Sequence, residues 1–357
     1  RGEGTRDMDR PSRFLLAAFC LLVISHANIK QAWLWLGFGL GGIGTGGLAV
    51  WQVTIDGVWR ANGFTQTTQY GNISIAIGLI CLAVLPWAWT QQKRVMWTLL
   101  LLLGAAGGVG AAILSGTRGS WLAIIPFIGV GFWIACKLQF VRQYLVIFTT
   151  ASVLAVAAFF IFPDSTAHKR FDYAFTLLKN YSPDVPGDNS VGERFQLWKG
   201  ALLAFSERPV FGWGETELLE RIKDFSSAGV IWETSTLYTH MHNDWMDVLG
   251  ERGLIGFSIL SMVFLTPILW FLNLNKMISL NKKYLSVNIS IIAAGLTLPL
   301  TFFATGMTQV NFSHNSGSMV YAFMTAAVVG VSATLFDRVS LKPVTHSVSN
   351  SSTRVGS

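Results

Sequence analysis

Four long stretches of this sequence carry no charged side chain, and they constrain the fold more than any other feature. Each is long enough to cross a hydrocarbon core about 30 Å thick as a helix. Only 13% of the 357 residues are charged, about half the share in a soluble domain. The chain is therefore predicted to be an all-α polytopic membrane protein. The four runs are 31–52, 71–92, 95–117 and 253–275.

Further apolar segments bring the predicted number of membrane-spanning helices to about nine. Every second loop between them is basic, from Lys30 to the tail with Arg338 and Lys342, so all the basic loops lie on one side of the membrane. The positive-inside rule makes that side cytoplasmic, with the N-terminus outside and the C-terminus inside. The predicted spans are 14–25, 31–52, 71–90, 95–115, 120–136, 143–162, 253–272, 285–306 and 317–336.

These spans divide the sequence into four predicted regions. Residues 1–162 form a transmembrane bundle of about six helices, 163–252 a large exported cap, 253–336 about three further transmembrane helices, and 337–357 a disordered cytoplasmic tail. The cap carries 9 Lys and Arg against 14 Asp and Glu, whereas the rest is basic. That basic excess is spread thinly over short loops, which indicates membrane orientation and no nucleic-acid partner. Because the sequence opens with Arg1, we expect an N-terminally truncated chain.

The cap is predicted to be mainly helical. Ser190 and Glu193 form a capping-box pattern at the start of one helix, which stops before Pro209. A second helix is expected over 215–225, and a third is expected to begin near Thr239 and to continue toward the next span. The four tryptophans of this region suit a layer that rests on the membrane surface.

Three polar residues stand out against these trends. Arg118 lies on a tight turn at the outer end of two spans, where the positive-inside rule disfavours a cation. Arg194 lies in the first turn of a helix, where the macrodipole disfavours positive charge. His242 lies near a predicted helix start, where the dipole favours the neutral imidazole that a general base requires. Each also has an ordinary explanation: a lipid phosphate for Arg118, a neighbouring carboxylate for Arg194, and a capping role for His242.

Motifs for metals and nucleotides are present only in form. The Gly37-x-Gly39-x-x-Gly42 spacing lies inside an apolar run, and we interpret it as close helix packing through small residues, as at Gly104 and Gly108. Asp7-x-Asp9 precedes the first span, and Cys20, Cys81 and Cys136 lie singly in apolar segments. We therefore expect neither a metal nor another cofactor.

Several motifs together resemble those of the O-antigen ligase and O-antigen polymerase superfamily. The most specific is His242-Asn243, nine residues, and then Gly253-x-x-Gly256. Further stretches are similar to the family's two arginine-bearing segments and to one of its outer loops. They are Ser115-Gly-Thr-Arg118-Gly-Ser-Trp121, Glu193-Arg194-x-x-x-Trp198 with Pro209-x-Phe-Gly-Trp-Gly214, and Arg60-Ala-Asn-Gly-Phe64 with Gly71-Asn72.

The resemblance implies a GT-C-like, metal-independent, inverting glycosyltransferase in the bacterial inner membrane, with its active site facing the periplasm. Its implied donor is a glycan on undecaprenyl pyrophosphate, and its implied acceptor is a sugar hydroxyl of lipid A–core. His242 is then the general base, and Arg118 and Arg194 bind pyrophosphate, because guanidinium groups match phosphate bidentately. Arg60, Asn243, Trp198 and His314 are further candidates for binding substrate.

Alternative functions share most of these residues. An O-antigen polymerase uses the same donor with a lipid-linked acceptor, and a protein O-oligosaccharyltransferase transfers the glycan to a protein. A lipid-linked glycan flippase would perform no transfer at all. The sequence leads us to expect the ligase.

Overall fold

A computed structural model of the protein describes residues 6–137, 190–279 and 282–340, together with positions 176 and 179. Helices are the only regular elements in these ranges, joined by short turns and two 3-10 segments, 118–123 and 233–237. This confirms the all-α class. The helices are α1 (Arg6–His26), α2 (Gln31–Thr54), α3 (Thr67–Ala83), α4 (Leu85–Trp89), α5 (Arg94–Leu114), α6 (Ile124–Lys137), α7 (Ser190–Glu207), α8 (Glu215–Ser227), α9 (Asp244–Ser279), α10 (Lys282–Gly306) and α11 (Asn315–Ser340).

The number of spans differs from the predicted nine. Seven helical segments within the described ranges are long and apolar enough to cross a membrane, and each coincides with a predicted span. The predicted span 14–25 is a shorter apolar helix, Pro11–His26, because charged side chains occupy the first turns of α1. The predicted span 143–162 lies outside the described residues. The protein is thus a multi-pass membrane protein, with about seven spans in the part of the chain that the structure describes.

Two spans form the centre of the bundle. In the span formed by α3 and α4, 83% of the apolar 18-residue stretch is buried inside the protein, and in α10 the share is 89%. In the other spans the share is only 28–44%. The central helices also carry the buried polar side chains that connect the bundle to its loops. The Asn72 amide, for example, donates to the Asn311 side chain (2.9 Å), which joins α3 to the turn before α11.

Close backbone contact joins α2, α3 and α5. A Cβ added at Gly42 would collide with the carbonyl of Gly104, and one at Gly108 would lie 2.5 Å from the carbonyl oxygen of Ser74. Small residues allow such approach in apolar surroundings, where packing drives helix association. The interpretation of the glycine-rich run as a packing surface is confirmed.

Helix α9 is broken at Gly253, whose φ of 56° and ψ of −153° are open only to glycine. The loop that follows α7 enters this break. Leu254 N–H donates to the Pro209 carbonyl (2.8 Å) and Ile255 N–H to that of Val210 (3.3 Å). In return the carbonyls of 250 and 251 accept from the N–H groups of 213 and 214, at 3.1 and 2.8 Å. The loop therefore replaces the two intrahelical bonds that the break removes, which matters at a membrane edge.

The cap described in residues 190–252 packs as a small helical layer around its own apolar core. Residues of α7, of α8 and of the connection from α8 to α9 fill this core: Leu197, Ala201, Ala204, Leu218, Ile222, Phe225, Ile231 and Met241. The predicted ends of α7 and the predicted start of α8 agree with the structure. The third helix begins at Asp244, five residues later than predicted.

The later start of α9 has a local cause. The side-chain oxygen of Asn243 accepts hydrogen bonds from Trp245 N–H (2.9 Å) and Met246 N–H (3.3 Å), which is the geometry of an N-cap. His242 precedes the cap with a φ of 51°, a conformation that β-carbon sterics disfavour. His242 therefore stands in an irregular connection, immediately before the helix.

Candidate functional site

Four loops predicted to lie on the outer side meet at one face of the bundle. Gln309 bridges three of them: its amide nitrogen donates to Gln66 (3.0 Å) and to Thr68 (2.9 Å), and its oxygen lies 3.1 Å from His242. The turn that carries Arg118 packs beside them, since a Cβ at Gly119 would collide with the Thr308 hydroxyl. The four loops therefore build a single polar site beneath the cap.

The hydrogen bonds of Gln309 define the tautomer of His242. Both hydrogen bonds of the Gln309 amide nitrogen are donated to oxygens of 66 and 68, so its Oε1 is the atom that faces the imidazole. A carbonyl oxygen can only accept, so His242 Nδ1 carries the proton and donates. The Nε2 atom of His242 then holds the lone pair that a general base uses.

Other aromatic and imidazole rings surround His242. The His240 ring centroid lies 4.2 Å from that of His242 and 5.9 Å from that of His314, and the Tyr238 ring lies 5.1 Å from His242. The Tyr238 hydroxyl donates to the Glu193 carboxylate of α7. The site thus concentrates three imidazoles between the cap and the turn before α11.

The imidazoles of His240 and His242 are neutral at pH 7. Burial and the positive charge of Arg194 lower the pKa of His242 to about 4. Burial, together with the neighbouring His242 and His314, lowers the pKa of His240 to about 3. The site can therefore accept a proton at an imidazole nitrogen of His242 at neutral pH.

Arg118 and Arg194 lie in the same electrostatic neighbourhood. Burial and the charge of Arg118 both lower the pKa of the Arg194 guanidinium, which nevertheless stays protonated at neutral pH. The ion pairs between described residues involve Arg13, Arg208, Arg221 and Arg252, and not Arg194. Two arginine side chains therefore bring positive charge to a site in which His240 and His242 are neutral.

The first turn of α9 fixes the segment that carries His242. Asp247 accepts from Met241 N–H (2.8 Å) and from the Ser313 hydroxyl (3.1 Å), and Asp244 accepts from Phe312 N–H (3.1 Å). The Asn243 amide donates to the Met307 carbonyl (3.2 Å). All three side chains are about 1% exposed. They tie the 241–243 segment to the 307–313 turn, and so they hold His242 against Gln309.

The structure assigns different positions to the predicted site residues. His242, Arg194, Arg118 and His314 come together, whereas Asn243 is a buried cap without access to a ligand. Trp198 donates its indole N–H to the Met241 carbonyl (2.9 Å) and so supports the same segment from α7. Arg60 donates to the Ser115 carbonyl (2.6 Å), which connects it to the backbone of the Arg118 turn.

Sequence reasoning missed His240, Gln309 and Asp247 as members of the site. The His-x-His spacing of 240 and 242 was a usable signal, because an extended segment can bring alternate side chains close. Gln309 and Asp247 offered none, since each acquires its role only through contacts between distant segments.

Within the described residues, no group of three or more His, Cys, Asp or Glu side chains has the arrangement of a metal site. Asp9, from the Asp-x-Asp pattern, makes an ion pair with Arg13 one helical turn later (2.8 Å). The three cysteines are free thiols.

Comparisons with known proteins agree with this architecture. The sequence model of the O-antigen ligase family matches residues 103–261, from α5 through the Arg118 turn, α7 and His242 to the break in α9. An uncharacterized protein of Haemophilus influenzae is 28% identical over 322 residues, which are 89% of this chain and 78% of that protein.

The fold and the family match define the class. The chain is a multi-pass, all-helical membrane protein with a helical cap over a polar site at the ends of its spans. The match supports the O-antigen ligase superfamily, which the motifs predicted. This family indicates an enzyme of the glycosyltransferase type, with lipid-linked glycans as substrates.

Proposed function

We propose that the protein is an O-antigen ligase that transfers a glycan from undecaprenyl pyrophosphate to a sugar hydroxyl of lipid A–core. The observation that carries this proposal is the hydrogen bond between His242 and Gln309, which leaves His242 Nε2 as a proton acceptor beside two arginines. A transfer of this kind needs one base for the acceptor hydroxyl and positive charge for the leaving group.

The reaction is proposed as a single displacement. The acceptor hydroxyl oxygen attacks the anomeric carbon, its proton moves to His242 Nε2, and the bond from that carbon to the pyrophosphate oxygen breaks. The configuration at the anomeric carbon is inverted. Negative charge grows on the departing undecaprenyl pyrophosphate, where Arg118 and Arg194 stabilise it without a metal.

The other predicted residues have supporting roles in this scheme. His314 is proposed to contact substrate, because its ring lies beside His240 in the same cluster. Arg60, Trp198 and Asn243 are proposed to act through the segments that they hold. Their bonds go to the Ser115 carbonyl, the Met241 carbonyl and the first turn of α9.

The site is proposed to face the periplasm of the inner membrane. The loops that build it lie on the side that the basic loops do not occupy, and the positive-inside rule assigns that side to the exterior. Finished glycans on lipid carriers are available there.

An in vitro transfer assay tests the proposal. Purified protein in nanodiscs receives lipid-linked glycan and rough lipopolysaccharide, with and without chelator. We expect glycosylated lipopolysaccharide in both cases, and His242→Ala, Arg118→Ala and Arg194→Ala variants of normal yield should be inactive. A strict metal requirement would overturn the arginine scheme, and normal transfer by His242→Ala would remove His242 from the reaction.

Two further arms distinguish the alternatives. A polymerase elongates a lipid-linked glycan instead of modifying lipopolysaccharide, and a protein O-oligosaccharyltransferase modifies a protein acceptor in the same assay. Gene deletion gives an independent result. Loss of a ligase leaves bare core while long lipid-linked glycan accumulates, whereas loss of a polymerase leaves core with a single repeat unit.

A further inference from the structure

Exposed apolar side chains form a continuous stripe along α9 after its break. Leu254, Ile255, Ile259, Met262, Leu265, Leu269 and Leu272 are each 44–64% exposed. From Ile255 onward their spacing of three or four residues places them on one side of the helix. In a multi-pass membrane protein, such a stripe faces lipid.

The length of this stripe locates the membrane boundary. From Leu254 to Lys276, the helix rises about 33 Å at 1.5 Å per residue, close to the thickness of about 30 Å that a hydrocarbon core has. Lys276 marks the far end, so the near boundary lies at the level of Leu254. The residues before the break belong to the cap.

The loop that enters the break extends the stripe beyond this boundary. Phe211 is 76% exposed and Val210 is 48% exposed. The backbone bonds from Leu254 to Pro209 and from Ile255 to Val210 fix this loop against the first turn of the span. A large aromatic ring therefore stands at the level where acyl chains meet headgroups.

Arginine side chains flank the loop on the side of the headgroups, as is typical of a membrane interface. Arg252 precedes the break, and its side chain is 59% exposed. Arg208 precedes the loop and is 50% exposed, with its guanidinium carbon 3.8 Å from the centre of the Trp213 ring. Arginine can keep its apolar stem near lipid while its head reaches the phosphates.

We propose that the Pro209–Phe211 loop anchors the cap in the membrane interface, with the phospholipid bilayer as its partner. Val210 and Phe211 insert among the upper acyl chains, and Arg252 contacts lipid phosphate. The anchor also holds the loop that bridges the helix break, so it fixes the height of the cap above the membrane. This inference is independent of the reaction that the site performs.

Depth-dependent fluorescence quenching tests the anchor. The full chain, with Cys20, Cys81 and Cys136 replaced by alanine, carries a single bimane-labelled cysteine at Phe211→Cys in phosphatidylethanolamine–phosphatidylglycerol nanodiscs. Quenchers are lipids with a doxyl group near the headgroup or near the chain end, and aqueous iodide. Ile259→Cys serves as the lipid-facing reference, and Lys223→Cys, on exposed α8, as the aqueous one.

We expect the Phe211 label to be quenched most by the shallow doxyl lipid, and the Ile259 label more by the deep one. Quenching of the Phe211 label only by iodide, as at Lys223, would overturn the proposal. Protection from both lipid and aqueous quenchers would also overturn it, because the loop would then contact protein, such as a second copy of the chain. Val210→Cys, on the same loop, repeats the measurement if Phe211→Cys does not fold.

Discussion

The two ends of one sequence motif serve different purposes in this protein. His242-Asn243 and Gly253-x-x-Gly256 are nine residues apart and together resemble one family signature. The first end places an imidazole against Gln309 beneath the cap. The second end breaks a helix so that a distant loop can replace its hydrogen bonds. A motif can thus combine chemistry and architecture, and the two should fail differently when mutated.

The second glycine of the signature also has an architectural reason. A Cβ at Gly256 would collide with the Arg252 side chain and lie 3.0 Å from Val248. The helix is kinked at the break, and the preceding turn approaches residue 256 so closely that a side chain there has no space. Among the described residues, neither glycine makes a backbone hydrogen bond to the segment that carries His240 and His242.

The largest expected effect is a loss of activity from a change at His242, in the first end of the motif. His242→Gln removes the basic nitrogen but keeps a side chain able to bond with Gln309. We expect the transfer rate to fall about 10²–10⁴-fold, the usual contribution of a general base, with unchanged yield and monodispersity. His26→Gln, an exposed histidine at the end of α1, is the matched control and should keep full activity. A His242→Gln rate within a few-fold of wild type would contradict the assignment.

The next largest effect is a loss of stability from a change at Gly253, in the second end of the motif. In Gly253→Ala the added Cβ would lie 2.5 Å from the Val210 carbonyl oxygen, at backbone angles that alanine avoids. We expect a loss of at least about 2 kcal/mol, measured as a lower temperature at which the detergent-solubilised protein stops being monodisperse.

Gly47→Ala is the control for this variant, because a Cβ there meets no atom within 4 Å. Alanine is the better helix former, so this change should be neutral or slightly stabilising. A Gly253→Ala protein that keeps its stability but loses transfer would erase the division between the two ends of the motif.

Sequence reasoning predicted the parts of this molecule that depend on local composition. Hydropathy identified seven spans, and the misplaced cations Arg118 and Arg194 led to residues that share one neighbourhood. The break at Gly253 was not predicted, because the apolar run that starts there after Glu251 and Arg252 marks a membrane boundary and not a change of backbone conformation. Its cause is the loop at 209–214, which is distant in sequence.

The same limit explains the residues that were missed. Gln309 orients His242 only because the turn before α11 reaches the segment before α9. Asp247 lies within the predicted third cap helix without an assigned role, yet it connects Met241 to Ser313. Partnership across such distances follows from tertiary packing, which propensity and spacing do not encode.

Substitutions of Asp247 test whether the activity of His242 depends on the hydrogen bonds that hold its segment in place. Asp247→Leu leaves the buried Met241 N–H without an acceptor, which costs about 1–3 kcal/mol and releases the His242 segment. We expect lower kcat with little change in KM, since the base is displaced while the arginines remain. Asp247→Asn retains an acceptor oxygen and should restore most of the rate. Equal losses in both variants would mean that the charge of Asp247, and not its hydrogen bonds, matters.

A smaller effect concerns the pKa of His242. Because Arg194 contributes to lowering this pKa to about 4, Arg194→Gln should raise it toward the ordinary value of about 6.5. Arg194→Lys keeps the charge and should leave it low. Histidine-selective NMR titration in nanodiscs measures the difference. An unchanged pKa in the glutamine variant would show that Arg194 and His242 are too far apart to share a ligand.

The lowered pKa also sets a sign for stability against pH. The unfolded histidine binds its proton near pH 6.5, whereas the folded one does so only near pH 4. The unfolded state therefore binds more protons between these values, and stability falls as the pH drops from about 6.5 to about 4. His240, with a pKa of about 3, adds to this loss in the same direction.

The smallest effect is expected at Arg221, which gives the sharpest contrast with Arg194. Both are arginines of cap helices, and Arg221→Gln removes the same charge as Arg194→Gln. Arg221 pairs with Glu207 and with Asp224 (3.2 Å) on the exposed surface of the cap, where ion pairs contribute little because water and salt screen them. We expect wild-type transfer and wild-type stability, measured in the same assays. Loss of transfer in Arg221→Gln would mean that the whole cap surface, and not only the side beneath it, takes part in binding substrate. The comparison of Arg194 with Arg221 would then no longer separate the site beneath the cap from the exposed surface of the cap.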